Sequence, residues 1–246
     1  MTNELLVIYR ACGNELLPQN FKNGRPSWFN KLNCYNSFYQ CFVRKADIHV
    51  VWDGDKNNGF YHYIKGFLHQ TIHEIDARNN QKSLEYCYDL IGASSAKYVN
   101  LAEDDYQWLA GSYEFMIDAL KLGYDPLTLY DHPDRYIQDG RGWYVGATDE
   151  TLGRDYHGLT NRGFVRTIES TTCSFACSKK FFDTTKDALY HFNEIGHGAP
   201  EDRKYWRYIN NNYPFRLWCA NPGLICHLQL PLTPHRDWED KQKNEN

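Results

Sequence analysis

Short apolar runs that stop at glycine or at acids alternate along this chain with stripes of helical period. Residues 5–9 (LLVIY) are β-formers that run into Arg10, Ala11, Cys12 and Gly13, which predicts a first strand with a turn at its end. From Ser27, a fair N-cap, Trp28, Leu32, Tyr35, Tyr39 and Phe42 recur at steps of four and three. That is one apolar helical stripe, suited to packing on a sheet. Residues 47–55 (DIHVVWDGD) predict a second strand stopping in Asp53, Gly54 and Asp55. Residues 71–75 predict a short third strand and 77–81 (ARNNQ) a loop, after which Leu84, Cys87, Tyr88 and Ile91 share a helical face. The next strand, within residues 97–106 (KYVNLAEDDY), ends in Glu103, Asp104 and Asp105. Strands alternating with helices imply an α/β chain with a mostly parallel sheet and right-handed crossovers.

The second half is more varied. A helix is expected over 112–121, a turn at 124–126, and a strand over 127–130 that ends in Asp131, His132, Pro133, Asp134 and Arg135. Residues 143–147 predict a strand, and the polar, glycine-containing stretch 149–162 a mobile lid. Residues 166–177 are β-rich and carry Ser170, Thr171 and Thr172, whose hydroxyls suit sugar or phosphate oxygens. A helix is expected over 181–190. Pro200, Glu201 and Asp202 open another, with Asp202, Trp206 and Ile209 on one face. Residues 223–228 (GLICHL) are an apolar run holding His227, and the charged stretch 239–246 reads as a flexible tail.

Composition narrows the classes. With 246 residues, 42% hydrophobic and 24% charged, the chain has the makeup of an ordinary globular domain. The aromatic share is unusual, at 16% with 19 Tyr, and aromatics that a core does not need often line sites that stack on flat or ring-shaped ligands. A net charge of -4 argues against a broad electrostatic grip on nucleic acid. No apolar run is long enough to span a membrane, and no basic leader precedes the first apolar segment, so no integral membrane contact and a cytoplasmic location are expected. The 8 Cys are then expected to be thiols. Cys34 and Cys41 read as core, and the spacings among Cys173, Cys177, Cys219 and Cys226 are loose for a zinc site.

Candidate chemistry gathers at the strand ends. On an extended backbone Glu103 and Asp105 would share one face and Asp104 the other. Paired carboxylates suit a hard divalent cation that shares ligands with phosphate; a solvated acidic turn is the plainer alternative. Arg10 could meet a phosphate or a nucleobase, or be a surface arginine. Asp53 could accept a pyrimidine N–H or hold a ribose, or merely form an Asp-Gly turn. No glycine-rich phosphate loop is present, so a nucleotide would be held by side chains and a metal. Glu201 and Asp202 also suit a helix N-terminus electrostatically, and a histidine placed like His227 is often a hydrogen-bonded core residue.

Taken together, these segments resemble nucleotide-sugar glycosyltransferases of the GT-A fold, the inverting family 2 group in particular. The stretches VNLAEDDY, LTLYDHPDRY and STTCSFA resemble bacterial and phage-type members. The resemblance implies one GT-A domain with a Rossmann-like, mixed, mostly parallel sheet flanked by helices. Residues 1–105 would form the nucleotide-binding half and 106–238 the acceptor-binding and catalytic half. It makes Arg10 part of the nucleotide loop and Asp53 the base-holding acid. Residues 79–87 (NNQKSLEYC) match the segment before the metal strand through Asn79 and Lys82, with Gln81 and Cys87 departing from its pattern. Glu103-Asp104-Asp105 resembles the D-x-D motif. Its first acid is Glu, which leaves Asp105 as the metal candidate and Glu103 and Asp104 as donor contacts. Glu201-Asp202 is similar to the E-D motif, making Asp202 the catalytic base, and His227 to a late metal-ligating histidine. The implied cofactor is Mn²⁺ or Mg²⁺, the donor a UDP-sugar by preference, and the outcome inversion. The acceptor would be a glycan or lipid-linked sugar hydroxyl, or a hydroxymethylated pyrimidine in DNA, for which the aromatic residues would stack a flipped base. A nucleotidyltransferase, which normally needs the missing phosphate loop, and a non-catalytic sugar-binding module are the competing readings.

Overall fold

The computed structural model describes residues 4–13, 24–26, 28–132, 156–172, 174–196 and 200–228. Its organising strand is β1 (Leu5–Cys12), apolar on both faces as a central parallel strand must be. It pairs in parallel with β2 (Asp47–Asp53) on one side and β4 (Tyr98–Glu103) on the other. β3 (Thr71–Ile75) lies parallel outside β2. The register sets Arg10 beside Glu103 and Cys12 beside Asp53, so three strands run out together at one edge.

Alternation along β1 sends its side chains to two different cores. Leu5, Val7, Tyr9 and Ala11 pack against α1 (Lys31–Phe42), α2 (Gly59–Lys65) and α4 (Ser112–Lys121). Leu6 and Ile8 pack against α3 (Asn80–Ala93), α5 (Lys179–Glu194) and α6 (Asp202–Asn212). The remaining strands are β5 (Tyr106–Trp108), β6 (Leu127–Thr128), β7 (His157–Thr160), β8 (Gly163–Thr167), β9 (Phe175–Ser178), β10 (Trp218–Asn221) and β11 (Ile225–His227). Among the described residues the main sheet is nine-stranded, in the order β3-β2-β1-β4-β9-β6-β10-β8-β7. Its first four strands are parallel, and antiparallel pairs enter with β9. β5 and β11 form a separate antiparallel ribbon that sets His227 opposite Tyr106. The architecture is α/β, a mixed sheet flanked by helices.

Several expectations shift. The first helix starts at Lys31, capped by Asn30, whose side chain accepts from the Leu32 N–H at 2.8 Å. Trp28 therefore precedes it, and Ser27 lies outside the described residues. α2 was not expected; Asn58 caps it in the same way. The expected lid is, over 157–160, an ordered strand: β7 pairs with β8, with Leu159 opposite Phe164. The expected strand over 127–130 is shorter, Leu127–Thr128, with Tyr130 in a single bridge to Ile225. Residues 143–147, 149–155 and 239–246 lie outside the described residues. Among those described, no helix is long and apolar enough to cross a membrane.

Candidate functional site

A cavity of about 330 Å³ opens where β1, β2 and β4 run out. Arg10, Asp53, Asn79, Glu103, Asp104 and Asp105 all line it. The chain turns at Asp104 and Asp105, between β4 and β5, so strict strand alternation ends at Glu103. That turn is why all three acids reach one cavity and are not split between two faces, as an extended backbone would have required.

Each acid has its own cation. Arg10 pairs with Glu103 and also donates to the Asn80 side chain. Lys31 Nζ lies 2.8 Å from Asp104 Oδ2 and donates to the Cys12 carbonyl at 2.9 Å. The same Asp104 oxygen accepts the Cys12 N–H at 2.9 Å. Arg25 Nη1 lies 2.9 Å from Asp105 Oδ2. His227 Nε2 lies 3.1 Å from that oxygen, bringing together two residues 122 positions apart.

The Lys31–Asp104 pair is buried, with side chains 7% and 12% exposed, and charges so placed persist only when paired and hydrogen-bonded. Burial works against the Lys31 charge, but Asp104 outweighs it and raises the ammonium pKa. Burial likewise disfavours the Asp105 anion. His227 and Arg25 outweigh it and hold the carboxyl well below the usual carboxylate range. Asp105 Oδ1 is buried and meets no hydrogen-bond donor among the described residues. His227 is itself buried, stacked on Tyr106 with ring centres 4.6 Å apart and planes 6° apart.

The other wall is set by α3. Asn79 caps that helix, accepting the Lys82 N–H at 3.1 Å, and Asn79, Asn80 and Ser83 line the cavity. The positive end of the helix dipole thus faces a space suited to anions. Asp53 accepts the Arg78 N–H at 3.0 Å, which ties the end of β2 to the loop before α3.

Three of the residues singled out for the site, Lys82, Asp202 and His227, do not line the cavity; His227 meets it through Asp105. Lys82 is exposed on α3, with its N–H given to the cap. Asp202 is half-buried at the first position of α6, a helix anchored by Trp206, whose indole donates to the Thr171 carbonyl at 3.1 Å. Of the hydroxyls expected to take sugar or phosphate, Thr172 bonds Tyr106 and Thr171 bonds Thr128 at 3.1 Å. Cys177, Cys219 and Cys226 are buried thiols outside any disulfide, and Cys173 lies outside the described residues.

The residues missed in the sequence are the cations. Lys31 had a signal: it stands at steps of four, three and four from Tyr35, Phe38 and Phe42, a lysine inside an apolar stripe. Arg25 had none, because only its contact across the fold marks it.

Among the described residues no three His, Cys, Asp or Glu side chains are placed to share one ion. Two protein ligands are nonetheless a workable set for Mg²⁺ or Mn²⁺, which commonly takes its remaining oxygens from substrate phosphate and water. Asp105 and His227 fit that pattern, since one Asp105 oxygen is buried without a donor and the other already sits beside the imidazole.

No protein-family model matches the sequence, and no curated protein matches it. Solved structures match by fold. The crystal structure of S. aureus TarS 1-349 aligns with a TM-score of 0.52 at 11% identity, covering 89% of this chain and 60% of that one. A second S. aureus TarS structure gives 0.48 at 12% identity, over 89% of this chain and 36% of that one. A 4-diphosphocytidyl-2C-methyl-D-erythritol synthase from Anaerococcus prevotii DSM 20548 gives 0.45 at 13% identity, over 89% and 86%. The chain thus spans less than two thirds of the TarS chains it matches. The fold is GT-A-like, as in S. aureus TarS.

Proposed function

We propose that this chain is a transferase that moves a sugar from a nucleoside-diphosphate donor to an acceptor hydroxyl. One observation carries the reading: an acidic triplet at the end of β4 faces a cavity shared with Arg10, Asp53 and the N-terminus of α3. That combination suits a nucleoside diphosphate. Asp53 would take the base or ribose, and the N-terminus of α3 together with the arginines and lysine among the acids would take the phosphate oxygens.

In this reading Arg10, Asp53, Asn79, Glu103 and Asp104 position the donor. Lys82 approaches it from the solvent side. Asp105 and His227 would hold Mn²⁺ or Mg²⁺, which when bound supplies Lewis-acid stabilisation to the leaving diphosphate. Asp202 takes the proton that the acceptor hydroxyl loses as it attacks. A single base with no second nucleophile leads to inversion at the sugar carbon. Residues 1–105 make the nucleotide half and 106–238 the acceptor half. The net charge of -4 favours a glycan acceptor over hydroxymethylated DNA. A cytoplasmic site of action and a UDP-sugar donor complete the proposal.

The test is hydrolysis of a panel of nucleotide sugars with Mn²⁺, followed by acceptors one class at a time. Release of nucleoside diphosphate with sugar transfer supports it. Pyrophosphate release from a nucleoside triphosphate would make the chain a nucleotidyltransferase, and sugar binding without turnover would make it a binding module.

A further inference from the structure

Arg25 is one of the arginines placed among the acids for phosphate in the donor-site reading above, on which the inference rests. Arg25 Nη1 meets the same Asp105 oxygen that His227 approaches, at 2.9 Å against 3.1 Å. The same nitrogen donates to the Leu228 carbonyl at 2.9 Å, and the guanidinium lies over the Phe29 ring, 4.6 Å from its centre. Leu228 in turn donates its N–H to the Asp105 carbonyl at 2.9 Å. Arg25, Asp105 and Leu228 thus form a closed clasp at the mouth of the cavity.

Two cations cannot share that carboxylate without repelling each other, so a divalent ion ligated by Asp105 and His227 competes with the guanidinium. Of the three cations on the triplet, Arg25 is the one best able to yield. Among them it is Arg25 that pairs with the proposed cation ligand Asp105, and its side chain keeps 20% of its surface exposed, against 7% for Lys31 and 15% for Arg10. Arg25 also lines the cavity, so it can pass from carboxylate to phosphate without leaving it. A guanidinium suits both partners, because its planar fork matches carboxylate and phosphate alike.

We propose that Arg25 is the resident counter-ion of Asp105 in the donor-free protein and exchanges with the divalent cation. When the cation and nucleoside diphosphate enter, Arg25 releases Asp105 and pairs with phosphate oxygens. Cation and diphosphate then bind cooperatively, each strengthening the other by the same factor.

The experiment is a calorimetric titration of wild type, Arg25→Met and Arg25→Lys with Mn²⁺ alone, with UDP alone, and with UDP at saturating Mn²⁺. Methionine keeps an apolar stem on Phe29, and lysine keeps the charge. Near-UV circular dichroism verifies packing in each. Arg25→Met should bind Mn²⁺ alone about tenfold or more tightly than wild type, the size of one competing charge-assisted hydrogen bond. The same variant should lose about tenfold or more in UDP affinity at saturating Mn²⁺, and Arg25→Lys should bind Mn²⁺ alone as wild type does. Unchanged or weaker Mn²⁺ affinity in a folded Arg25→Met, including no binding in either protein, overturns the exchange. If UDP binds none of the proteins, the donor-site reading is what falls, and the Mn²⁺ comparison still decides the role of Arg25.

Discussion

Replacing Lys31 by Met removes the cation of the most buried of the three acid–base pairs. The two side chains are 7% and 12% exposed, with nitrogen and oxygen 2.8 Å apart. At an effective dielectric near 20, unit charges 3–4 Å apart attract by about 4–6 kcal/mol. Most of that offsets the desolvation of the two ions, so the pair adds little net stability while intact. Breaking it is another matter. Asp104 would keep the Cys12 N–H but lose its counter-charge, and stranding a buried ion costs about 3–5 kcal/mol. For a chain of this size that lowers the melting temperature by roughly 6–20 °C. Asp104→Asn in the Lys31→Met background should recover much of the loss, because the amide oxygen still accepts from Cys12 and no unpaired charge remains. A coupling energy of about 2–3 kcal/mol is expected across the cycle. Urea unfolding followed by tryptophan fluorescence and far-UV circular dichroism measures all four proteins. The Lys31 pKa is raised, so the pair's contribution is fully present below the ordinary ammonium value of 10.5 and is lost only as pH rises through the raised one. The Lys31→Met loss should therefore be flat from pH 6 to 9. A loss under about 1 kcal/mol, or single losses that simply add in the double variant, would refute the pairing.

Three other outcomes follow from single side chains. The Tyr9 hydroxyl is buried with no hydrogen-bond partner among the described residues, while its ring packs on Tyr35 and Phe38, so Tyr9→Phe should stabilise by about 1 kcal/mol in urea unfolding, and a clear loss would count against that environment. Burial raises the Asp125 pKa above its ordinary 3.8 despite hydrogen bonds from Ser178, so the native state binds the extra proton and stability falls as pH rises through that window. Asp125→Asn should lack that fall and be the more stable protein at pH 7; equal pH profiles by thermal melting would contradict this. Asp202→Asn should lower turnover by about a hundredfold or more with donor binding intact, and full turnover would remove Asp202 as the base.

What could be read beforehand was local. LLVIY, the DGD stop after β2 and the acids after β4 announced strand ends, and parallel pairing then carried Arg10, Asp53 and Glu103 to one edge. Helical spacing locates α3 and α4, and within the polar stretch 149–162 the strand at 157–160 is not legible because a short hairpin such as β7–β8 carries little apolar signal. The first helix was started early because Trp28 continues its spacing by accident, whereas the cap belongs to Asn30. The counter-ions were the hardest part. A triplet of acids says that something positive must sit nearby, and a metal satisfies that as well as side chains do. Only the packing of α1 against β1, and the contacts of Arg25 with Asp105 and the Leu228 carbonyl, show that Lys31 and Arg25 are there as well. His227 was legible as an out-of-place histidine in an apolar run, but its approach to Asp105 depends on β11 pairing with β5.

The most direct measurement is calorimetric binding of UDP to wild type and Asp105→Asn, each with and without Mn²⁺. Wild type should bind UDP about tenfold or more tightly when Mn²⁺ is present, and Asp105→Asn should lose that gain while remaining folded. UDP binding that ignores Mn²⁺, or that is as tight in Asp105→Asn as in wild type, would contradict a diphosphate site built on Asp105.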